Sequence, residues 1–154
     1  MSVPEIGQLT KEGVYIGRFK DKDGLIKDYF AGPRDACDDK GGRLLMDFNE
    51  AAAYAKDATV LGHNDWFLPP GRDDKSGEPD ILGAMFNNKA KIGGFDEAPY
   101  RSSSVYGFRD GSARIQHFGN GSKIGGFKAG GLHVRLVRAV IVKSGFVKEQ
   151  CLKA

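Results

Sequence analysis

The sequence predicts an α+β domain, with two short helices between an opening β-hairpin and a mainly β second half. Two segments near the start have β-branched and aromatic composition around a glycine turn, and two later stretches have apolar residues at helical spacing. Glycine accounts for 22 of 154 residues, about twice its usual ~7% share, which indicates many tight turns. A chain of this length can bury one core, so we expect a single domain over residues 1–154.

The opening hairpin is predicted over residues 12–32. Val14–Phe19 supplies the first strand and Leu25–Phe30 the returning one, because both are rich in β-branched and aromatic side chains. The turn falls at Asp21–Gly24, where Gly24 can adopt a positive φ.

The first helix is predicted to begin at Asp47. Asp47 can cap the helix, and Glu50, three residues later, can reach back in a capping box. The alanine-rich stretch 50–57 has high helix propensity.

The second helix is predicted after Gly71–Gly77, a polar loop. Pro79 suits its first turn, and Asn87-Asn88 ends it. Its buried stripe would contain Ile81, Leu82, Met85 and Phe86.

The second half is predicted to be β. Residues 101–108 and 112–118 flank Arg109-Asp110-Gly111 as a second hairpin. Residues 132–142 are predicted as the longest strand, either buried on both faces or bulged near Leu136, since apolar side chains fall on both faces.

One decapeptide occurs twice in similar form. Phe86–Phe95 and Phe118–Phe127 share 7 of 10 residues, which indicates two similar Gly-Gly turns rather than a repeat architecture.

Charge is distributed unevenly along the chain. Residues 1–100 hold 13 basic and 18 acidic residues, whereas residues 101–154 hold 10 basic and 2 acidic ones. An anionic partner, such as an acidic glycan, a nucleic acid or an acidic protein surface, would therefore be expected at the C-terminal third; the alternative is that these charges are spread over a solvated surface.

The two cysteines, Cys37 and Cys151, are predicted to be free thiols, although a bridge between them stays open. The first residues lack a secretory pattern, so we expect no leader. No apolar stretch approaches the ~20 residues needed to span a bilayer.

A structural role is predicted for the residues around the sole tryptophan and in the closing strands. Trp66 should be core because tryptophan buries most of its area. Ser103 belongs to a run of small hydroxyls that suits a packed strand and lacks the context of a serine nucleophile. Arg135 and Arg138 suit structural ion pairs as easily as ligand contacts. The full set predicted to belong to the structural core is Asp65, Trp66, Phe67, Leu68, Ser103, Arg135 and Arg138.

No metal or cofactor site is predicted. His63, His117 and His133 lack metal-ligand spacing, and Asp73-Asp74 does not fit a calcium loop.

Ligand contact is predicted on the glycine-rich second hairpin and the turn that follows it. Aromatic faces and hydrogen-bond donors occur together there, in the basic third of the chain. The candidate residues are Tyr106, Phe108, Arg109, Arg114, Gln116, His117 and Asn120.

Three segments in fixed order carry a family resemblance: Gly62–Pro69, Tyr100–Ser104 and Val134–Ala139. With the helices between them, residues 41–140 resemble the C-terminal domain family of the Legionella collagen-like adhesin, a branch of the C-type-lectin-like fold. The opening hairpin is most similar to phage-encoded members. Residues 143–154 lie beyond the resemblance as a C-terminal tail.

The resemblance implies two helices packed on a small twisted antiparallel sheet, with long loops that carry recognition. It also implies a non-enzymatic module of a phage virion, in the tail or in receptor binding, that recognises a glycan or a protein surface. Such a module would assemble with copies of itself or with other virion proteins, and nucleic acid is not an expected partner. A bacterial surface adhesin is the alternative. A formylglycine-generating-type enzyme would need a close cysteine pair for copper, which Cys37 and Cys151 do not provide.

Overall fold

The structure is a computed structural model that describes residues 3–105 and 112–142. About twice as many of these residues lie in strands as in helices. The elements are β1 (Leu9–Thr10), β2 (Gly13–Lys20), β3 (Ile26–Ala31), α1 (Phe48–Asp57), α2 (Ile81–Asn87), α3 (Lys89–Ile92), β4 (Pro99–Val105), β5 (Ser112–His117), β6 (Lys123–Phe127) and β7 (Val137–Ile141).

The strands form two antiparallel sheets. The first has the order β1-β2-β3-β7, so the last strand joins the opening hairpin. The second has the order β4-β5-β6. Both are built from neighbours in sequence except for β7, whose pairing with β3 closes the chain on itself.

The predicted layout of two helices on one small sheet is wrong, and with it the C-type-lectin-like α+β assignment. The protein is mostly β, and its strands are divided between two sheets. Its helices span 10, 7 and 4 residues, and α1 contacts β4 of the second sheet whereas α2 and α3 contact β2 of the first. Strands and irregular segments supply most of the core instead.

The predicted hairpin is confirmed. β2 pairs with β3 in antiparallel register, with a bulge between Tyr15 and Gly17. The Asp21 carboxylate accepts hydrogen bonds from the backbone of Asp23 and Leu25, and Gly24 has φ +85°. The turn is therefore fixed by its own sequence.

The predicted start of α1 is also confirmed. Asp47 accepts a bond from the Glu50 N–H at 2.7 Å, and the Glu50 carboxylate accepts one from the Asp47 N–H at 2.9 Å. The second predicted helix is present as α2. Asp80 caps it and the helix begins at Ile81, so Pro79 lies before the helix rather than in its first turn.

Only the second half of the predicted strand 132–142 is a strand. Residues 132–136 are irregular and make isolated bridges, whereas β7 begins at Val137. Val134 and Leu136 pack in one apolar cluster with α1 and Trp66, and Val137 packs in the other with α2 and Tyr100. Apolar residues fall on both faces because the chain passes between two cores.

A buried ion pair lies close to both clusters. The Arg135 Nε atom lies 2.7 Å from an Asp35 carboxylate oxygen, and both side chains are essentially unexposed. The other Arg135 nitrogens donate to the carbonyls of Gly32 and Gly93, and the guanidinium stacks on the Phe95 ring at 4.1 Å. Each of the three guanidinium nitrogens of Arg135 therefore has a hydrogen-bond acceptor inside the protein.

Candidate functional site

A cavity with a volume of about 500 Å³ lies beside β7. Tyr29 and Phe67 provide its aromatic surface. Its polar lining includes Lys27, Asp65, Asp74, Ser76, Glu78 and Ser103.

A second cavity of about 470 Å³ adjoins the first and shares Phe67 and Ser103 with it. Its lining is mostly apolar, from α1 and from the segment around Trp66. We call the two cavities together the groove, with the cavity beside β7 as the polar compartment and the one beside α1 as the apolar compartment. Each is of the size that ligand-binding clefts in proteins usually have.

The backbone around Phe67 joins the groove to both sheets. Phe67 exchanges two backbone hydrogen bonds with Val137 of β7, at 2.8 and 2.9 Å. Two residues further on, the Pro69 carbonyl accepts from the Ser103 N–H of β4 at 3.0 Å. The groove therefore lies where the two sheets are connected through one extended segment.

Trp66 supports this segment from below. It is 3% exposed, and its indole N–H donates to the carbonyls of Val60 and His63. The neighbouring Leu68 is equally buried. Phe67, between them, points the other way and is half-buried, as alternation along an extended chain requires.

Carboxylates dominate the polar compartment. Arg138 donates two bonds to Asp65, at 2.8 and 3.0 Å, and lowers the pKa of that carboxyl. Burial opposes ionisation of Asp74, but hydrogen bonds from Ser104 and Ser76 outweigh it, so its pKa also lies below the usual value. Both groups are therefore charged at neutral pH.

Tyr29 and Lys27 complete the electrostatics of this compartment. Burial raises the pKa of Tyr29 to about 12, and the charges of Glu78 and Asp21 add to the shift. The Lys27 ammonium lies 2.8 Å from Asp21, which balances its charge. Because Asp65 is paired with Arg138, the carboxylates of Asp74 and Glu78 are the groups that make the polar compartment acidic.

The outward edge of β7 beside the polar compartment is only partly paired within the described residues. Val137 bonds outward to Phe67, and Val142 donates inward to Ile26 of β3. In an antiparallel ladder the direction alternates, so the N–H and C=O groups of Ala139 and Ile141 point outward like those of Val137. Neither residue has a hydrogen-bond partner for these groups within residues 3–105 and 112–142.

The predicted ligand-contact residues fall in two groups. Tyr106, Phe108 and Arg109 lie outside the described residues. The four others, Arg114, Gln116, His117 and Asn120, lie on β5 and the turn after it, and none of them lines the groove.

Three of these four hold the β5–β6 turn together. Gln116 is 2% exposed and donates to the Gly121 carbonyl, so a ligand cannot reach it in this structure. His117 accepts from the Gly119 N–H, and Asn120 accepts from the Ser122 N–H. Arg114 lies 3.5 Å from Asp73.

Two members of the predicted structural set are at the surface. Ser103 is exposed on β4 and lines both compartments of the groove, so its assignment to the core is wrong. Asp65 is also exposed, although it pairs with the buried Arg138, which further contacts Glu12 at 2.6 Å. Trp66, Leu68, Arg135 and Arg138 are buried.

Sequence reasoning did not find the groove because its lining is nonlocal. Tyr29, Glu78 and Ala139 come from three distant segments that meet only in the folded chain. The acidic pair Asp73-Asp74 is the one local sequence feature near the groove that indicates a site, and its spacing does not fit a calcium loop.

Cys37 is a half-exposed free thiol, and Cys151 lies outside the described residues. Among the described residues, no group of three or more His, Cys, Asp or Glu side chains is arranged to hold a metal ion. Within the same part of the chain, no helix has the length and apolar character to cross a bilayer. A scan of protein-family models and a search of curated proteins gave no match to this chain.

Proposed function

We propose that the protein is a binding module and that the groove is its contact surface. The observation that carries this proposal is that two cavities of about 500 and 470 Å³ share Phe67 and Ser103 in their linings. One compartment offers charged and hydroxyl groups and the other an apolar wall. Such a combination suits a ligand that needs both orientation and apolar burial.

A rigid frame around the groove supports this role. Phe67 is fixed to β7 and Pro69 to β4 by backbone bonds, and Trp66 is buried beneath them. A site whose walls are already ordered loses little conformational entropy when a ligand binds.

The groove favours a different ligand charge from the one that composition indicated. The basic third of the chain suggested an anionic glycan, but Asp65, Asp74 and Glu78 line the polar compartment. We propose that the ligand is neutral or basic there, because like charges at short range oppose binding. The predicted place in a phage virion, and the alternative of a bacterial surface adhesin, remain proposals of biological setting.

Substitution of Ser103 by tryptophan tests the proposal. Ser103 is exposed and borders both compartments, so S103W should fill the groove without disturbing the core. Labelled protein would be applied to a glycan array and to a displayed library of random heptapeptides. We expect S103W to lose at least tenfold in affinity for ligands that the wild type selects.

Ser122→Trp is the matched control, because Ser122 is an exposed serine next to Asn120 in the β5–β6 turn. It should leave affinity unchanged. Loss of binding in S122W but not in S103W would move the contact surface to the predicted hairpin and contradict the proposal. If both variants have the thermal stability of the wild type, unfolding is excluded as the cause of lost binding.

A further inference from the structure

We infer that the groove takes an extended peptide segment, which adds to the outward edge of β7 and places a basic side chain in the polar compartment. The inference rests on the proposed binding role of the groove and names the class of its partner. Three independent features of the described residues carry it: open backbone groups, the direction of the adjoining side chains, and charge.

The open backbone groups are those of Ala139 and Ile141. Phe67 already bonds to the outward N–H and C=O groups of Val137, the first residue of β7. The next two outward positions, Ala139 and Ile141, have no such partner within the described residues. Pairing of the chain's own segment ends at the isolated antiparallel bridge between Phe67 and Val137, and an added strand would bond to the next outward groups of β7. Addition of a strand to an exposed sheet edge is an established way to bind peptides, with affinity from main-chain bonds.

The side-chain direction follows from the register of β7 with β3. Ala139 is opposite Tyr29, so their side chains share one face of the sheet, and both line the polar compartment. A peptide residue paired with Ala139 would project its side chain onto the same face. That side chain would enter the polar compartment, beside Tyr29 and Phe67.

The charges of the compartment select the side chain. Asp65, Asp74 and Glu78 line it, and of these Asp65 is paired with Arg138. The Lys27 ammonium, which also lines it, is balanced by Asp21 at 2.8 Å, so Asp74 and Glu78 are the carboxylates that favour a basic group. A lysine or arginine fits this arrangement, because its aliphatic stem can lie along aromatic rings while its charged end reaches the carboxylates. A saccharide would make no use of the regularly spaced amides of the β7 edge.

The first test is selection from the random heptapeptide library on the full chain. We expect enrichment of lysine or arginine flanked by β-branched residues. Selected peptides would then be resynthesised with N-methyl groups on alternate amides, and with glutamine in place of the basic residue. N-methylation of the set of amides that faces β7 should weaken binding about tenfold or more because it removes edge hydrogen bonds, whereas N-methylation of the other set should have little effect. Glutamine in place of the basic residue should also weaken binding about tenfold or more because it removes the charge.

Protein variants test the same contacts from the other side. Ala139→Pro removes the outward N–H, and proline is tolerated on an edge strand at such a position. Glu78→Gln removes one charge of the polar compartment. Both should weaken peptide binding about tenfold, whereas Asp39→Asn, an exposed charge change away from the groove, should leave it unchanged. If A139P does not fold, the N-methylated peptides still test the edge.

The outcomes separate this inference from the proposed function. Two results would overturn the inference. One is that neither set of alternate amides, when N-methylated, weakens binding relative to the unmodified peptide. The other is selection of peptides without basic residues. A glycan whose binding is lost in Ser103→Trp would also overturn it while supporting the groove as the contact surface. Absence of any ligand that depends on the groove would overturn both.

Discussion

At the scale of single residues, buried charge organises the protein. Asp35 accepts from Arg135 and from the Tyr100 hydroxyl, and Arg43 lies 3.6 Å away. Burial lowers the pKa of Arg135, while Asp35 opposes that shift. Because these charged groups are buried together, removal of one leaves the charge of its partner buried without compensation.

Replacement of Asp35 by alanine should therefore be severely destabilising. We expect a loss of about 3–5 kcal/mol in the free energy of unfolding, because the Arg135 charge would stay buried without its partner. Urea denaturation measures this directly. Asp39→Ala, at an exposed position four residues on, should change stability by less than about 0.5 kcal/mol. Equal effects of the two substitutions would show that the pair is not structurally important.

Asp96 should make stability depend on pH in the acid range. Arg43 donates to this carboxylate at 2.7 Å and lowers its pKa, while burial opposes the shift and His133 adds to it. A carboxyl whose folded pKa lies below its unfolded value stabilises the protein above about pH 4 and loses that contribution as the pH falls through the folded pKa.

The Asp96→Asn variant checks this dependence. It should be less stable than the wild type at pH 7 and should lose less stability than the wild type between pH 5 and about pH 2. The measurement is the free energy of unfolding in urea at a series of pH values. Parallel curves for the two proteins would mean that Asp96 does not carry the dependence.

At the scale of elements, local sequence determines some parts and tertiary context others. The hairpin and the capped start of α1 were predicted because their turn and cap residues interact within a few positions. The repeated decapeptide behaves in the opposite way. Its first copy contains α3, whereas the second copy contains the β5–β6 turn and β6, although 7 of 10 residues are shared.

The difference between the copies includes Lys89 in the first and Gly121 in the second. Lys89 begins α3, whereas Gly121 has φ +84° and lies so close to Phe86 that an added Cβ would be 2.9 Å from the ring. The glycine therefore permits a turn that the lysine does not.

Gly121→Lys should accordingly destabilise the protein by about 2–4 kcal/mol, from the positive φ together with the clash. Gly41→Lys is the matched control, because Gly41 has the same φ of +84° with no atom within 4 Å of an added Cβ. It should lose only the smaller part that the backbone angle causes. Thermal or urea unfolding of both variants makes the comparison, and equal losses would contradict the role of Phe86.

At the scale of the whole molecule, the arrangement of sheets could not be predicted from the sequence. β7 pairs with β3 across more than a hundred residues, and no local pattern specifies that partner. The family resemblance led to two helices on one sheet, whereas the strands form two sheets. The prediction that Ser103 belongs to the core is wrong for a related reason. Alternation along β4 separates the side chains into two faces, but the sequence does not show which face the rest of the protein covers.

The groove is a consequence of that arrangement. Phe67 and Pro69 connect β7 to β4, and the cavities lie on either side of this connection. The account of the protein therefore depends on the claim that a ligand binds where the two sheets are connected, rather than on the β5–β6 turn.

Backbone amide chemical shifts, measured while a selected peptide or glycan is titrated into the labelled protein, test this claim most directly. The largest changes are expected at Phe67, Ser103 and Ala139, with little change at His117 and Asn120. Changes centred on His117 and Asn120, with none at Phe67 and Ser103, would contradict it.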